Sequence, residues 1–324
     1  MTMKVLLVIP VLDRPKEISK LLKSLNILNL DGIDLNVSIV DDGSSTSIEH
    51  QIKIPKDNNW KLNIYKNNSP KGPGYCRNLV SKTNKCDYLW YLDSDTEVFQ
   101  SECLTHMISI LQSEKNVGGV GGTLEPYLNE KKIIVWHKLY NFLVFPKVYN
   151  YEKFSRKSVK QIATSNLLIR KNDFDSTNGF RIDLSRDEDH ELCLAIQKLG
   201  FQFLQDKKMV VWHYLSSVGR NKGHFSYFND KKQYYNSLLK TRIDLMSHYA
   251  KKRLVILPLL DAVTIIIIIK EILVGNFPKS RLERLNQSKK LDIFSSLKTL
   301  LIVIIEVTKC YFYGYSVLLR DLFK

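Results

Sequence analysis

The sequence is poor in residues that cross-link or break a chain. Its five cysteines form no CxxC pair, and their number is odd. That argues against a disulfide framework or a cysteine-built zinc site and favours a reducing, cytosolic setting. Fourteen glycines and nine prolines in 324 residues are too few for a collagen-like or low-complexity chain. There is no internal repeat, and the isoleucine run at 265–269 is the only biased tract. Acidic residues are also short, 33 against 48 basic, which leaves a net charge of +15. Such an excess seeks a polyanionic neighbour, whether nucleic acid, an anionic membrane surface or a phosphate-bearing ligand. The start resembles a signal peptide only superficially. Its short apolar run meets Pro10, Asp13 and Arg14 instead of a small-residue cleavage site.

What is present is apolar material, 44% of the residues, enough for one large core. Short, nearly continuous apolar runs at Lys4–Ile9, Leu35–Val40, Leu62–Tyr65 and Asp87–Leu92 read as strands covered on both faces. Ser165–Ile169 and Lys208–His213 give the same signal. Helical spacing appears at Ile18, Leu21, Leu22 and Leu25, and again over Gly74–Ser81, Ser101–Ser113 and Glu188–Leu199. This alternation predicts an α/β fold, a mostly parallel central sheet flanked by helices. Ligands bind such sheets beyond the carboxyl ends of the strands. Three predicted strands end in polar or acidic loops, Pro10–Arg14, Asp41–Ser44 and Asp93–Asp95, so the acids should gather on one edge. Gly118–Gly122 reads as permissive backbone, and the aromatic-rich stretch Trp136–Tyr151 as an acceptor surface.

Asp93-Ser94-Asp95 follows a buried strand. Alternate side chains of an extended segment share a side, so both carboxylates can face one ligand. Two hard oxygen donors suit Mg²⁺ or Mn²⁺, which would in turn hold a diphosphate. Asp41-Asp42-Gly43-Ser44 reads equally as a turn and as a site where a carboxylate accepts hydrogen bonds from a nucleobase N–H and ribose hydroxyls. Lys71–Asn78 sets glycines before a helix with Arg77 in its first turn, a combination that suits a diphosphate. It matches neither the P-loop nor the dinucleotide-binding pattern. Arg186–Glu191 opens a helix. Its acids favour the helix dipole, yet Glu188 or Asp189 can also reach a cleft, and spacing does not separate them. His213 ends a strand beside Trp212, either as a packed residue or as a third metal or diphosphate contact.

Taken in order, Pro10-Val11, Asp41-Asp42-Gly-Ser, the Gly-rich loop with Arg77-Asn78, Asp93-Ser94-Asp95 and Glu188-Asp189 before Leu-Cys-Leu resemble the family 2 inverting glycosyltransferases of GT-A fold. The resemblance spans residues 3–215. It implies a nucleotide-sugar donor gripped by Pro10, Val11, Asp42, Arg77, Asp93, Ser94 and Asp95, with Asp42 on the base and Asp93 on the ribose. It also implies a metal on Asp95, assisted by His213, with Asp189 as the general base. Two positions depart from the family pattern: Asp187 stands where Gly is usual, and Glu191 where Asp is usual. The Leu92–Glu97 stretch also loosely resembles the nucleophile motif of haloacid dehalogenase-type phosphatases, but Glu97 and the placement of Asp41-Asp42 fit poorly. A non-catalytic nucleotide-sugar-binding scaffold is the other alternative, disfavoured by intact Asp95 and Asp189.

The expected organisation is a catalytic domain over 1–215, a basic and aromatic linker over 216–253, and an apolar helical pair over 254–324. Leu254–Val274 and Leu297–Leu319 approach bilayer-spanning length at roughly 20 residues per span. Asp261, Thr264 and Glu271 share one side of the first stretch, and Glu306, Lys309 and Tyr313 one side of the second. Basic clusters flank the first on both sides, which disfavours a simple crossing under the positive-inside rule. Helices lying in the cytoplasmic leaflet are expected, with Lys and Arg at anionic headgroups. A packed soluble appendage or a homo-oligomer contact is the alternative. Membrane attachment would suit a lipid-linked glycan acceptor. Nucleic acid is not an expected partner, because the basic residues crowd the apolar tail and form no known motif.

Overall fold

The first apolar run forms β1 (Met3–Val11), whose side chains alternate between two buried clusters. Val5, Leu7, Ile9 and Val11 enter one, and Leu6 and Val8 the other, as a strand covered on both faces requires. The computed structural model describes residues 2–125, 152–153, 156–184, 187–213 and 241–249, with positions 256, 258–260, 262–263, 266, 301 and 305. The chain divides into two compact units, Met1–Tyr127 with Val148–His224, and Leu128–Lys147 with Phe225–Lys324. The aromatic stretch Trp136–Tyr151 and nearly all of the two long apolar stretches lie outside the described residues.

In the first unit, β2 (Ile33–Asp41) and β3 (Lys61–Lys66) extend the sheet on one side of β1, and β4 (Tyr88–Tyr91) lies on the other, all parallel. Beyond β4 the sheet becomes mixed. A short β5 (Thr96–Val98) follows the acidic loop, and then come β6 (Val117–Glu125), β7 (Glu152–Lys153), β8 (Arg156–Val159), β9 (Leu167–Arg170) and β10 (Gln202–His213). The order is β3-β2-β1-β4-β9-β6-β10-β8-β7, with β5 pairing β10. β9 is antiparallel to both β4 and β6, whereas β6 and β10 are parallel. The parallel arrangement expected from strand–helix alternation thus describes the β3-β2-β1-β4 half.

Helix α1 (Pro15–Leu25) starts with proline in its first turn, which needs no N–H there, and lays Ile18, Leu21, Leu22 and Leu25 on the sheet. Full burial of one such side chain contributes about 1.5–3 kcal/mol. α3 (Cys103–Ser113) covers the same face through Leu104, Met107, Ile108 and Leu111. The opposite face is covered by Cys76 and Val80 of α2 (Pro73–Thr83) and by Leu192, Cys193 and Ile196 of α5 (Glu188–Lys198). A short α4 (Lys171–Asp175) adds Phe174 to that cluster.

β6 is the strand that the sequence concealed. Its glycines are there for close approach: a side chain at Gly119 would strike the ring of Phe203, and one at Gly122 the carbonyl of Met209. With four glycines between and after Val117 and Val120, the segment shows no alternation to read. β10 likewise begins at Gln202, well before Lys208, and carries a register shift between Asp206 and Val211.

Candidate active site

β1 and β2 are in register, Val11 opposite Asp41, and Val8 of β1 faces Tyr91 of β4. Parallel strands with aligned ends deliver their following loops to one edge, so Pro10, Val11, Asp41, Asp42 and the 93–95 loop meet there. Val11 is buried and Pro10 partly so, and the Val11 carbonyl accepts from the Asp42 N–H at 2.8 Å. The adjacent aspartates then divide their work. Asp41 is consumed by its own loop, accepting from Ser44 N at 2.9 Å and Ile48 N at 3.0 Å. Asp42 reaches across to the next loop, accepting from Asn67 Nδ2 at 2.9 Å and from the N–H groups of Lys71 and Gly72 at 2.8 Å each. Gly43 takes φ +79 and abuts the Ser69–Pro70 backbone so closely that a Cβ would collide at 2.8 Å.

Asp93 and Asp95 flank the turn into β5, and Ser94 between them is buried. β5 pairs with the end of β10, His213 opposite Thr96, which brings the imidazole to Asp95. His213 Nε2 lies 3.5 Å from Asp95 Oδ1, and ligand atoms of Asp93, Asp95 and His213 all fall within 4.8 Å of one another. Two carboxylate oxygens and one imidazole nitrogen make a donor set that suits Mg²⁺ or Mn²⁺. His213 has a raised pKa: burial pulls it down, but the hydrogen bond to Asp95 and the charges of Asp93 and Asp95 prevail, with Arg14 opposing them.

Arg77 is 2% exposed and faces two carboxylates. Nη2 donates to Asp93 Oδ1 at 2.8 Å and Nη1 to Glu188 Oε1 at 2.9 Å, while the Phe180 ring lies 5.4 Å from the guanidinium carbon. Its Nε has no hydrogen-bond partner among the described residues. Burial would lower its pKa, but Asp93, Glu188 and Asp189 hold it raised. Arg77 therefore joins the metal-type loop to the start of α5, and both of its Nη groups are engaged in doing so.

That clamp separates the two acids that spacing left equivalent. Glu188 is bound by Arg77, whereas Asp189 Oδ1, among the described residues, accepts from the His190 backbone N–H at 2.7 Å. The Asp189 carboxyl is pushed up to about 7, first by burial, then by the negative charge of Glu188, with Arg77 pulling the other way and Asp187 adding to the rise. Asp187, where the family pattern favours glycine, sits at φ 57, ψ 22. Aspartate is among the few non-glycine residues that accept this left-handed conformation, so the departure keeps the backbone path.

Two further residues of the edge escaped sequence reading. Asn67, at the end of β3, supports Asp42, and Arg14 Nη1 contacts Asp95 Oδ2 at 3.0 Å. The available signal was their position just beyond parallel strands, in loops bound for the same edge.

The profile of glycosyl transferase family 2 matches residues 6–176, more than half of the chain. The chain belongs to glycosyl transferase family 2. It is a glycosyltransferase. No curated protein matches the sequence significantly. Solved structures share the fold at low identity. A mannosyltransferase from Pyrobaculum calidifontis, in complex with GDP-Man and Mn²⁺, is 12% identical with a TM-score of 0.54, over 99% of this chain and 88% of that one. TarS residues 1–349 from S. aureus is 12% identical with a TM-score of 0.51, over 98% and 92%. GalNAc-T7 with UDP, GalNAc and Mn²⁺ is 14% identical with a TM-score of 0.54, over 92% and 54%. Among the described residues, no helix is long and apolar enough to cross a membrane.

Proposed function

We propose that this family 2 glycosyltransferase moves a sugar from a nucleoside-diphosphate donor to an acceptor hydroxyl with inversion, using Asp189 as the general base. The observation that carries this is the division of labour on α5: Glu188 is tied through Arg77 to Asp93, and the neighbouring Asp189 has a pKa of about 7. A base with a pKa near the working pH combines the deprotonated form with useful proton affinity. The acceptor oxygen bonds to the anomeric carbon as the carbon–oxygen bond to the diphosphate breaks. The bonding electrons leave with the diphosphate, and the hydroxyl proton passes to the Asp189 carboxylate. One displacement inverts the configuration.

Asp93, Asp95 and His213 would hold a divalent cation, whose chemistry here is to neutralise charge on the leaving diphosphate. The Mn²⁺ in the mannosyltransferase and GalNAc-T7 structures supports the same choice of ion, with Mg²⁺ as its natural substitute. Asp42 accepts two hydrogen bonds on Oδ1 and one on Oδ2, so Oδ2 retains capacity for a nucleobase N–H. Pro10, Val11 and Ser94 would line the donor beside it, and Arg77 would act on the donor through Asp93.

A thermal-shift panel of nucleoside diphosphates with and without Mn²⁺ tests the donor and the cation together. A rise of several degrees requiring both supports the proposal, and no response to any diphosphate would end it.

The second unit bears on the acceptor. Helical positions Leu259, Ala262 and Ile266 share one face and are exposed, Leu259 at 67% and Ile266 at 65%, as are Leu301 and Ile305. With the surplus of basic residues, this supports attachment to the cytoplasmic surface of a membrane carrying a lipid-linked glycan acceptor. Co-sedimentation with anionic vesicles that survives a high-salt wash, and is lost in a Leu259→Glu/Ile266→Glu double variant, is the expected result. Protein staying in the supernatant with every vesicle would refute it.

A further inference from the structure

The two carboxylates of the cation site are each met by an arginine, one from helix α2 and one from the loop after β1. Arg77 holds Asp93 at 2.8 Å, and Arg14 holds Asp95 Oδ2 at 3.0 Å. Arg14 is 13% exposed and Asp95 4%, so this pair is shielded from solvent and its attraction is less screened than on an open surface. Asp95 meets its two neighbours through different oxygens: Oδ2 is taken by Arg14, and Oδ1 is the atom 3.5 Å from His213.

We infer that Arg14 is a positioning residue that makes cation binding depend on the diphosphate. It acts in two ways through one contact. By holding Oδ2 it turns Oδ1 toward His213, and its positive charge offsets the negative charge of Asp95. Arg77 divides its charge between Asp93 and Glu188, so the two arginines offset part of the negative charge that the aspartates present to an incoming divalent ion. A cation alone gains less Coulombic energy there than at an uncompensated pair of aspartates. A nucleoside diphosphate brings the missing negative charge, so each partner strengthens the other by the same factor. The sequence contains the means for this in the Asp13-Arg14-Pro15 loop after β1, where the cation sits at the edge that collects the acids.

Because Arg14 acts through the cation site proposed above, the test must separate the two. Mn²⁺ binding to the full chain is measured by the loss of free-ion signal in electron paramagnetic resonance, without nucleotide and with uridine or guanosine diphosphate in parallel. The wild type should bind Mn²⁺ at least ~30-fold more tightly with the better diphosphate than without it. Arg14→Gln should tighten nucleotide-free Mn²⁺ binding about tenfold and shrink the coupling, while Arg14→Lys, which keeps the charge, should stay within about threefold of wild type. Tight binding by the wild type without nucleotide, or an Arg14→Gln variant that binds Mn²⁺ no better, would overturn the role of Arg14. No Mn²⁺ binding under any condition would instead remove the cation site itself. Should Arg14→Gln fail to fold, Arg14→Met, which also removes the charge and keeps a long side chain, carries the same expectation.

Discussion

Arg77 Nη1 donates to Glu188 Oε1 at 2.9 Å across 111 positions of sequence, with the arginine 2% exposed. The same guanidinium holds Asp93, so one buried cation fixes the start of α5 against the acidic loop after β4. Helix and loop come from the two separate segments of the first unit, Val148–His224 and Met1–Tyr127, and this side chain joins them.

Removing that cation strands carboxylates in a low-dielectric setting. Arg77→Met should destabilise the fold by about 3–5 kcal/mol, as breaking buried ion pairs does. Arg77→Lys keeps the charge but loses the fork and should fall between. Since the charge of Arg77 lowers the Asp189 pKa, the acid limb of the pH–rate profile should also move upward in Arg77→Met, and less in Arg77→Lys, which keeps the charge. Denaturant melts and pH profiles check this, and an unshifted limb in a folded Arg77→Met protein would contradict it.

Asp189→Asn should abolish transfer and retain diphosphate binding, with the wild-type rate rising through pH of about 7 as the carboxylate forms. Stability should show the opposite trend. The folded pKa of about 7 lies above the ordinary value near 4, so between those pH values the folded chain keeps a proton that the unfolded chain releases. Wild-type stability therefore falls as pH rises across that window and is flat above it. Asp189→Asn should gain on the order of 2–4 kcal/mol over wild type at pH 8 and nothing at pH 4. Melts at the two pH values measure the difference, and equal gains at both would dismiss the assigned pKa.

The left-handed backbone at Asp187 sets an order among substitutions. Asp187→Gly should stay within about 1 kcal/mol of wild type, whereas Asp187→Val should cost about 1–2 kcal/mol because its branched side chain fits that conformation poorly. Urea titration resolves the pair. Equal stability would mean that the backbone is not held left-handed.

Gly122 and Gly32 make a control pair. A Cβ at Gly122 would overlap the Met209 carbonyl, backbone that cannot swing aside, while nothing lies within 4 Å of one at Gly32. Gly122→Ala should cost about 3 kcal/mol or more through overpacking. Gly32→Asn, at φ +70, should cost about 1 kcal/mol or less. Soluble yield and thermal melts suffice to compare them.

Local pattern was enough for much of this. The apolar runs of β1, β2 and β4, the helical stripe Ile18–Leu25, and the acidic loops after the strands are legible because period and turn chemistry are properties of a few adjacent residues. Parallel pairing then implied that those loops share an edge, and family motifs named the candidates on it.

Other features needed the folded chain. β6, with glycine at 118, 119, 121 and 122, has too few side chains to show a period, and β9 lies between β4 and β6 by pairings that no neighbouring residue records. Asp41 and Asp42 are chemically identical in sequence, as nearly are Glu188 and Asp189, and only their distant partners separate them. The sequence by itself determined which residue types reach the active edge, because that follows from strand ends and chain direction. Tertiary structure decided which carboxylate is clamped by Arg77, which is held by Arg14 and which has its pKa raised by burial, because hydrogen bonds and desolvation act through space between residues far apart in the chain.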